Sequence, residues 1–483
     1  MKRIYVIKVS LFLVMGLTHA LFASERSSSA LNHLTSNKIF ETAGISISVA
    51  DAQSGKVVMS YAPNLSLTTA STLKLITTAT ALEMFGPDFR FETKVSTSGT
   101  LNVKGVLDGN VYITGSGDPT LGSAYSLHAK TSFFETVFNA LINNGIREIS
   151  GRIIGDETAY NTEIIPPKTP WEDMGNYYAA GVSALNYGDN CYQLTFKTGN
   201  EGTCPQIIGV NPSMPNLRFR NYLLAKANDK DSAFLYGMPF CNDRYLYGSV
   251  PAQKASFSIK GDVPDPALFL VEQLTIYLQN KGIKVSQLPT TSRILSIESH
   301  YNRESSTELC RFQSDPLSHI IKITNKRSNN FYAESLLRLI ASRVSKDASL
   351  PAGIAALKSF WANRNLKTGF LMYDGSGLSP ADRVNSSFFV QLMQYMATKS
   401  KNGETYFSSF AVAGVDGTLK SFLSDTPLSG KVRAKSGSFD GVISYCGIVE
   451  KNNRQLYFCI IINAFTGSAT QVKRAIEEFL VCF

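Results

Sequence analysis

The sequence predicts an α+β fold. Both ends of the chain contribute to one antiparallel five-stranded sheet with helices around it, and a large nested two-domain insertion separates them. Three observations carry this. Ile45, Ile47 and Val49 alternate with Ser46 and Ser48, Asp51-Ala52-Gln53-Ser54-Gly55 turns, and Val57-Val58-Met59-Ser60-Tyr61 returns, which is a β-hairpin. Near the other end, residues 430–435, 441–450 and 455–463 read as three strands, with Asn452-Asn453 turning the last pair and a helix over 469–481 behind them. A lone hairpin is not stable in water and three strands need partners, so the five share one sheet. Between about residues 90 and 310 the pattern changes to short strands and turn-rich loops, which places that stretch in an insertion.

Composition bounds the class. The 483 residues are 44% hydrophobic and 18% charged, an ordinary globular balance that excludes extensive disorder. The length allows two or three domains. Residues 1–23 stand apart. Lys2, Arg3 and Lys8 precede the apolar run Val9-Ser10-Leu11-Phe12-Leu13-Val14-Met15-Gly16-Leu17, and Ala20 and Ala23 follow, so a secretory signal peptide cut after Ala20 or Ala23 is expected. That run is too short to span a membrane, and no later stretch reaches about 18 apolar residues. The expected location is outside the cytoplasm, periplasmic or extracellular. The formal charge of +9 falls to +6 without Lys2, Arg3 and Lys8. With no Lys/Arg run and no nucleic-acid motif, this excess serves solubility and, at most, a weak peripheral attraction to an anionic wall or membrane surface. Seven cysteines leave at least one thiol without an intrachain partner, and export would permit a bridge among Cys191, Cys204 and Cys241. No Cys-x-x-Cys and no His-Glu-x-x-His occurs, so neither a metal site nor a cofactor is expected.

After the hairpin, Thr68-Thr69-Ala70-Ser71-Thr72-Leu73-Lys74-Leu75-Ile76-Thr77 opens a helix that runs to about Met84 and closes at Phe85-Gly86-Pro87. Leu75, Ile76, Ala79 and Leu82 form its apolar face. Residues 91–160 and 256–309 are assigned to an inserted α/β domain. Its helices, over 132–144 and 265–281, stop at Gly145 and Gly282 and exit through the similar segments Asn144-Gly145-Ile146-Arg147 and Lys281-Gly282-Ile283-Lys284, each feeding a strand. Residues 161–255, rich in Tyr, Asn, Pro and Gly, are assigned to a β-rich third domain nested in it. Residues 24–90 and 310–483 are assigned to the domain that holds the five-stranded sheet. In its second part a helix follows Arg327-Ser328-Asn329-Asn330, a Gly-rich loop occupies 374–379, and Asn385 caps a helix carrying Phe389, Leu392, Met393 and Met396.

Ser71 and Lys74 lie three apart and share one side of their helix. The helix N-terminus favours negative charge developing at the serine. A lysine whose pKa is lowered by burial or a neighbouring cation can take the serine's proton. This resembles the Ser-x-x-Lys arrangement of the serine enzymes that use a lysine base, and in those families two more elements accompany it. One is Ser-x-Asn, whose serine relays protons and whose asparagine holds the substrate amide. The other is Lys-Thr/Ser-Gly on an edge strand, which binds the substrate carboxylate. Each element has decoys. Ser328-Asn329-Asn330 heads a core-type helix, whereas Ser400-Lys401-Asn402 lies in a Lys-rich loop. Lys435-Ser436-Gly437 ends a strand and precedes a strand-turn-strand, whereas Lys197-Thr198-Gly199 falls in the insertion and Lys367-Thr368-Gly369 precedes the Gly-rich loop. Context selects Ser328, Asn330, Lys435, Ser436 and Gly437.

These elements, together with Asp374-Gly375-Ser376-Gly377-Leu378-Ser379 and Val412-Ala413-Gly414-Val415-Asp416-Gly417-Thr418-Leu419, resemble the class C low-molecular-mass penicillin-binding proteins, the D-alanyl-D-alanine carboxypeptidase/endopeptidase family. Residues 115–120 and 177–185 resemble segments of that family's insertions, so the resemblance covers nearly the whole mature chain. It implies a penicillin-recognising, serine transpeptidase/β-lactamase-like domain. It also implies a Ser71 acyl-enzyme formed with Lys74 as base, an oxyanion held by the N–H groups of Ser71 and Ser438, and Ser328 as proton relay. Asn330 is then expected on the peptide, and Lys435 and Ser436 on the terminal carboxylate. The implied substrate is the peptidoglycan stem peptide, and β-lactam antibiotics are implied covalent inhibitors. Asp173, in Trp171-Glu172-Asp173, is the implied contact for the free end of a diaminopimelate side chain. Ser436 stands where threonine is more usual, which keeps the hydroxyl. Two other readings stay open: a β-lactamase or esterase on the same fold, and a non-catalytic wall-binding protein.

Overall fold

The computed structural model describes residues 28–482 apart from 300 and 452, so the expected signal peptide at 1–23 lies outside the described residues. The main sheet runs in the order Val57–Tyr61, Gly44–Asp51, Arg454–Asn463, Val442–Lys451, Val432–Phe439, Ala411–Val412, each strand antiparallel to its neighbour. The five strands expected from the sequence are contiguous in it. The N-terminal hairpin docks on the chain's last strand in a register from Gly44↔Asn463 to Asp51↔Leu456. The sixth strand, Ala411–Val412, has two residues and is too short to show a period.

Both faces of the sheet are covered, which is why Phe458–Ile462 reads as an unbroken apolar run rather than an alternation. One face carries Ile47, Val49, Tyr445, Ile460 and Ile462 against the closing helix Ala469–Cys482. The other carries Cys446, Cys459 and Ile461 against a layer of helices. That layer comprises Lys74–Phe85, Leu317–Arg327, Asn330–Ser342, Leu350–Ala362 and Ser386–Thr398. Leu350–Ala362 was not foreseen. It packs on Asn330–Ser342 through Gly353, where a Cβ would come within 2.8 Å of the Leu337 carbonyl oxygen.

The helix Lys74–Phe85 is the centre of this layer. Every residue from Lys74 to Leu82 is buried, so the expected apolar stripe is really a helix enclosed on all sides. Its buried threonines are satisfied: Thr80 receives the Trp361 indole N–H at 2.8 Å, and Thr77 donates to the Gly375 carbonyl at 2.7 Å. Gly86, with φ 81°, stops it.

The chain leaves the sheet domain at Glu92–Thr97 and returns through Thr307–Gln313, and these two strands pair antiparallel. Between them lies a second core. The helices Ser132–Asn143 and Pro266–Asn280 each feed a short strand, Glu148–Ile149 and Lys284–Val285, and the two strands pair in parallel. Further along, Cys191–Lys197 sits between Gln206–Asn211 and Phe257–Asp262, and a second small sheet joins Arg218–Asn221, Asp243–Tyr247 and Phe234–Tyr236. All seven cysteines are thiols, so the bridge permitted among Cys191, Cys204 and Cys241 is not formed. Among the described residues no helix is long and apolar enough to cross a membrane.

Candidate active site

Ser71 lies in a 3₁₀ turn, Ala70–Leu73, that leads into the buried helix. The turn is gripped from two sides. Gly377 packs against it so closely that a Cβ there would fall 2.0 Å from the Ala70 carbonyl oxygen. On the other side Ser444 donates to the Thr69 carbonyl at 2.6 Å and lies 3.1 Å from the Thr72 hydroxyl. Just before the turn, Asn463 of the last strand makes a reciprocal clamp. Its Oδ1 accepts the Thr68 N–H at 2.8 Å and its Nδ2 donates to the Thr68 carbonyl at 2.9 Å.

Lys74 is fully buried, and its Nζ has three neighbours: Ser71 Oγ at 2.9 Å, Asn330 Oδ1 at 2.6 Å and the Ser376 carbonyl oxygen at 2.6 Å. The Asn330 amide is oriented by its other end, which donates from Nδ2 to the Tyr178 carbonyl at 2.8 Å. Both Asn330 Oδ1 and Ser376 O can only accept. A neutral amine has two N–H bonds and one lone pair, so these two acceptors consume its donors and leave the lone pair for the Ser71 hydroxyl. Burial lowers the Lys74 pKa from 10.5 to about 7, opposed by the charges of Asp374, Glu334 and Asp382. The protonated amine would instead donate to all three oxygens, and with a pKa of about 7 the neutral form that can accept from Ser71 is accessible near neutral pH.

The Ser376 carbonyl is held in place by two buried acids. Asp374 accepts the N–H groups of Ser376 at 3.0 Å, Gly377 at 2.6 Å and Ser379 at 2.7 Å. Glu334 accepts the Gly375 N–H on both carboxyl oxygens at 3.0 Å. Burial and the charge of Asp374 push the Glu334 carboxyl up to about 8.

Lys435 is also fully buried. Its Nζ donates to Ser328 Oγ at 2.8 Å and to the Ser436 carbonyl at 2.6 Å. Burial, then the charge of Lys74, pulls its pKa well below the usual lysine range. The second cause vanishes once Lys74 is neutral, and a carboxylate ligand would oppose the first. Ser328 occupies a left-handed position, φ 56°, between the helices Leu317–Arg327 and Asn330–Ser342, and Asn329 caps the second by accepting the Tyr332 N–H at 3.0 Å. This tight join brings Ser328 to Lys435 and Asn330 to Lys74.

Gly437 is where the strand touches the nucleophile's turn. A Cβ there would stand 2.5 Å from the Thr69 carbonyl oxygen, 2.5 Å from Ser444 Oγ and 2.8 Å from the Ser71 nitrogen. Ser436 Oγ donates to Thr418 Oγ1 at 2.7 Å, and Ser438 is exposed, opposite Ile443. Asp173 does not touch the lysines. It is half-buried and accepts the Tyr178 hydroxyl at 3.0 Å, so it joins the site only through the residue whose carbonyl holds Asn330. Burial raises its pKa, with the Tyr178 bond acting against that.

Of the residues expected from the sequence, Ser71, Lys74, Ser328, Asn330, Lys435, Ser436 and Gly437 converge, with Asp173 at one remove. Glu334, Tyr178, Thr418 and the Ser376 carbonyl were missed. Glu334 carried a signal, since it lies one helical turn beyond Asn330 amid buried apolar positions. The decoys have other tasks. Ser400 and Asn402 donate to Glu83 at 2.5 and 2.9 Å near the far end of the Ser71 helix, and Thr198 accepts the Lys254 N–H at 2.8 Å. Among the described residues no cluster of three or more His, Cys, Asp or Glu is placed to hold a metal ion.

A buried lysine beside a helix-start serine, facing a glycine-bearing strand of an antiparallel sheet, is the framework of the penicillin-recognising serine enzymes. More narrowly, the chain belongs to the D-Ala-D-Ala carboxypeptidase 3 (S13) family, whose model matches residues 28–482. It is similar to the D-alanyl-D-alanine carboxypeptidase DacB of Haemophilus influenzae, 26% identical over 449 residues, 91% of this chain and 89% of that one. It is 26% identical over 434 residues to the D-alanyl-D-alanine carboxypeptidase of an Actinomadura strain, covering 87% of this chain and 78% of that one. In fold it is similar to penicillin binding protein 4 of H. influenzae, with a TM-score of 0.78 at 23% identity over 93% of this chain and 99% of the other. That relative has also been solved in complex with a β-lactam, with a TM-score of 0.73 at 23% identity over 94% of this chain and 100% of the other.

Proposed function

We propose that this protein is a serine-type D-Ala-D-Ala carboxypeptidase with DD-endopeptidase activity. It is exported, trims or cleaves peptidoglycan stem peptides through a Ser71 acyl-enzyme, and is acylated by β-lactams. The observation that supports this most directly is the placement of Lys74, where two pure acceptors leave the lone pair of a neutral amine to Ser71. Family membership and the names of the relatives supply the substrate class. In this reading residues 24–90 and 310–483 are the catalytic domain, 91–160 and 256–309 an inserted domain, and 161–255 a third.

The steps follow from the groups present. Neutral Lys74 takes the Ser71 proton as Oγ attacks the carbonyl of the penultimate D-alanine. The oxyanion lies between the N–H groups of Ser71 and Ser438, a kind of donor that typically contributes about 2.7–4 kcal/mol each. Ser328, bonded to Lys435, passes a proton to the leaving D-alanine, while Asn330 steadies the peptide. Lys435 and Ser436 bind the terminal carboxylate, and water then releases the acyl group. In a cross-linked substrate, Asp173 would meet the amino group at the free end of the diaminopimelate side chain.

The test is intact mass after incubation with benzylpenicillin, beside a Ser71→Ala control. A stable adduct on the unaltered protein alone is expected. Destruction of the drug without an adduct would make the protein a β-lactamase, and an intact drug with no adduct would make it a non-catalytic binder.

A further inference from the structure

The small sheet formed by Arg218–Asn221, Asp243–Tyr247 and Phe234–Tyr236 buries Leu235, Arg244 and Leu246 on its inner face. By the two-residue period of a strand, Phe234, Tyr236, Tyr245 and Tyr247 then point outward. Outward positions of a sheet with one buried face are ordinarily polar; here four of them are aromatic, beside the charged Arg218, Arg220 and Asp243. The rings form a continuous path. Tyr222 stacks on Tyr247 at 5.0 Å, Tyr247 meets Tyr236 at 5.5 Å, and Tyr236 meets Trp171 at 4.9 Å between centroids. These rings associate in water rather than in a core: Trp171 is 67% exposed, Tyr222 55%, and Tyr245 and Tyr247 42% each. A contiguous exposed apolar surface of this kind marks a contact surface.

The Trp171 end of the path is linked to the active site along the chain. Trp171 is two residues before Asp173, which bonds Tyr178, whose carbonyl holds Asn330. We propose that this aromatic ribbon is the docking platform for the polysaccharide strand that carries the stem peptide, a β-linked N-acetylhexosamine polymer. The inference rests on the peptidoglycan reading of the site. A peptide held at Ser71 is attached to a sugar chain, and the Trp171 end of the ribbon is joined through Asp173 and Tyr178 to the asparagine beside Lys74. A pyranose offers a flat face of C–H bonds to an aromatic ring, while tyrosine hydroxyls and the indole N–H at the ring edges exchange hydrogen bonds with sugar hydroxyls and N-acetyl groups. Rings set in a row, rather than around a pocket, suit an extended polymer bound in more than one register.

The chain supplies its own probe. It has two tryptophans, and Trp361 is fully buried while Trp171 is exposed, so a ligand-induced change in intrinsic fluorescence reports on Trp171. Titration with a hexamer of β-1,4-linked N-acetylglucosamine is expected to quench or blue-shift that emission saturably. A Tyr222→Ala/Tyr247→Ala variant should weaken binding of both the hexamer and purified sacculi by about tenfold. Its benzylpenicillin acylation rate and melting temperature should stay at the unaltered values, and Tyr247→Trp should retain binding. No fluorescence response together with undiminished sacculus binding by the double variant would overturn the proposal. So would binding to phosphatidylglycerol vesicles that the double variant loses, which would assign the ribbon to a membrane. If the hexamer binds but benzylpenicillin does not acylate Ser71, the catalytic reading fails while the platform stands.

Discussion

Replacing Gly437 with alanine should separate the strand from the nucleophile. The added Cβ would stand 2.5 Å from the Thr69 carbonyl oxygen and 2.8 Å from the Ser71 nitrogen, both backbone atoms that no side-chain rotation can move aside. To restore an ordinary contact of ~3.4 Å, the strand or the Ser71 turn must shift by roughly 0.9 Å. The turn cannot yield easily, because Gly377 also packs on it, so closely that a Cβ there would fall 2.0 Å from the Ala70 carbonyl oxygen. The strand must therefore move, carrying Lys435, Ser436 and the Ser438 N–H away from Ser71. Overpacking of this kind costs about 1–3 kcal/mol of stability. A displacement of about 1 Å between reacting groups costs on the order of 10²-fold in rate. Stopped-flow measurement of the second-order acylation constant with a chromogenic cephalosporin, beside a thermal melt, tests both figures. A Gly437→Ala variant that acylates within threefold of the unaltered rate and melts at the same temperature would refute the claim that this approach positions the site.

Acylation should rise with pH and level off near the Lys74 pKa of about 7, because the protonated amine donates to Ser71 and accepts nothing; a rate that is flat between pH 5 and 9 would contradict this. The sign for stability is the same. Lys74 binds fewer protons folded than unfolded between about 7 and 10.5, so its contribution to stability grows with pH across that window, which a pH series of melts measures. Ser71→Ala should abolish turnover while shifting the melt by only a few degrees, since Ser71 Oγ gives Lys74 just one of its three bonds. Asn330→Ala breaks bonds to both Lys74 and the Tyr178 carbonyl and should cost about 1–3 kcal/mol in stability, measured by denaturant unfolding, with a steep loss of acylation.

The sheet was legible because its strands announce themselves by period and by turns, and because two orphan sets of strands, one at each end, have few ways to be satisfied. Ser71, Lys74, Ser328, Asn330 and Lys435 were legible because each sits in a short local pattern. What escaped was long-range. Nothing local marks Ser376 as a residue whose carbonyl orients a lysine 302 positions away, since backbone groups carry no sequence signature. Asp374 looks like a surface acid until the fold buries it, and nothing local says that Glu334, on the core face of its helix, grips the same loop. The helix Leu350–Ala362 begins with Leu-Pro-Ala-Gly, and an early glycine blurs the helical period even though it is the residue that permits close packing. Decoy motifs were separable only through the elements around them.

The clamp between Thr68 and Asn463 has a temporal consequence. The segment leading to Ser71 is fixed by a side chain 395 positions later, on the last strand, and that strand is also the one onto which the N-terminal hairpin docks. A chain emerging from its N-terminus makes the nucleophile early and the groups that position it almost last. Contacts of such long sequence separation form slowly, so the turn that carries the serine is fixed in place only after the last strand has been made. The enzyme's chemistry is thereby withheld until its last strand is in place.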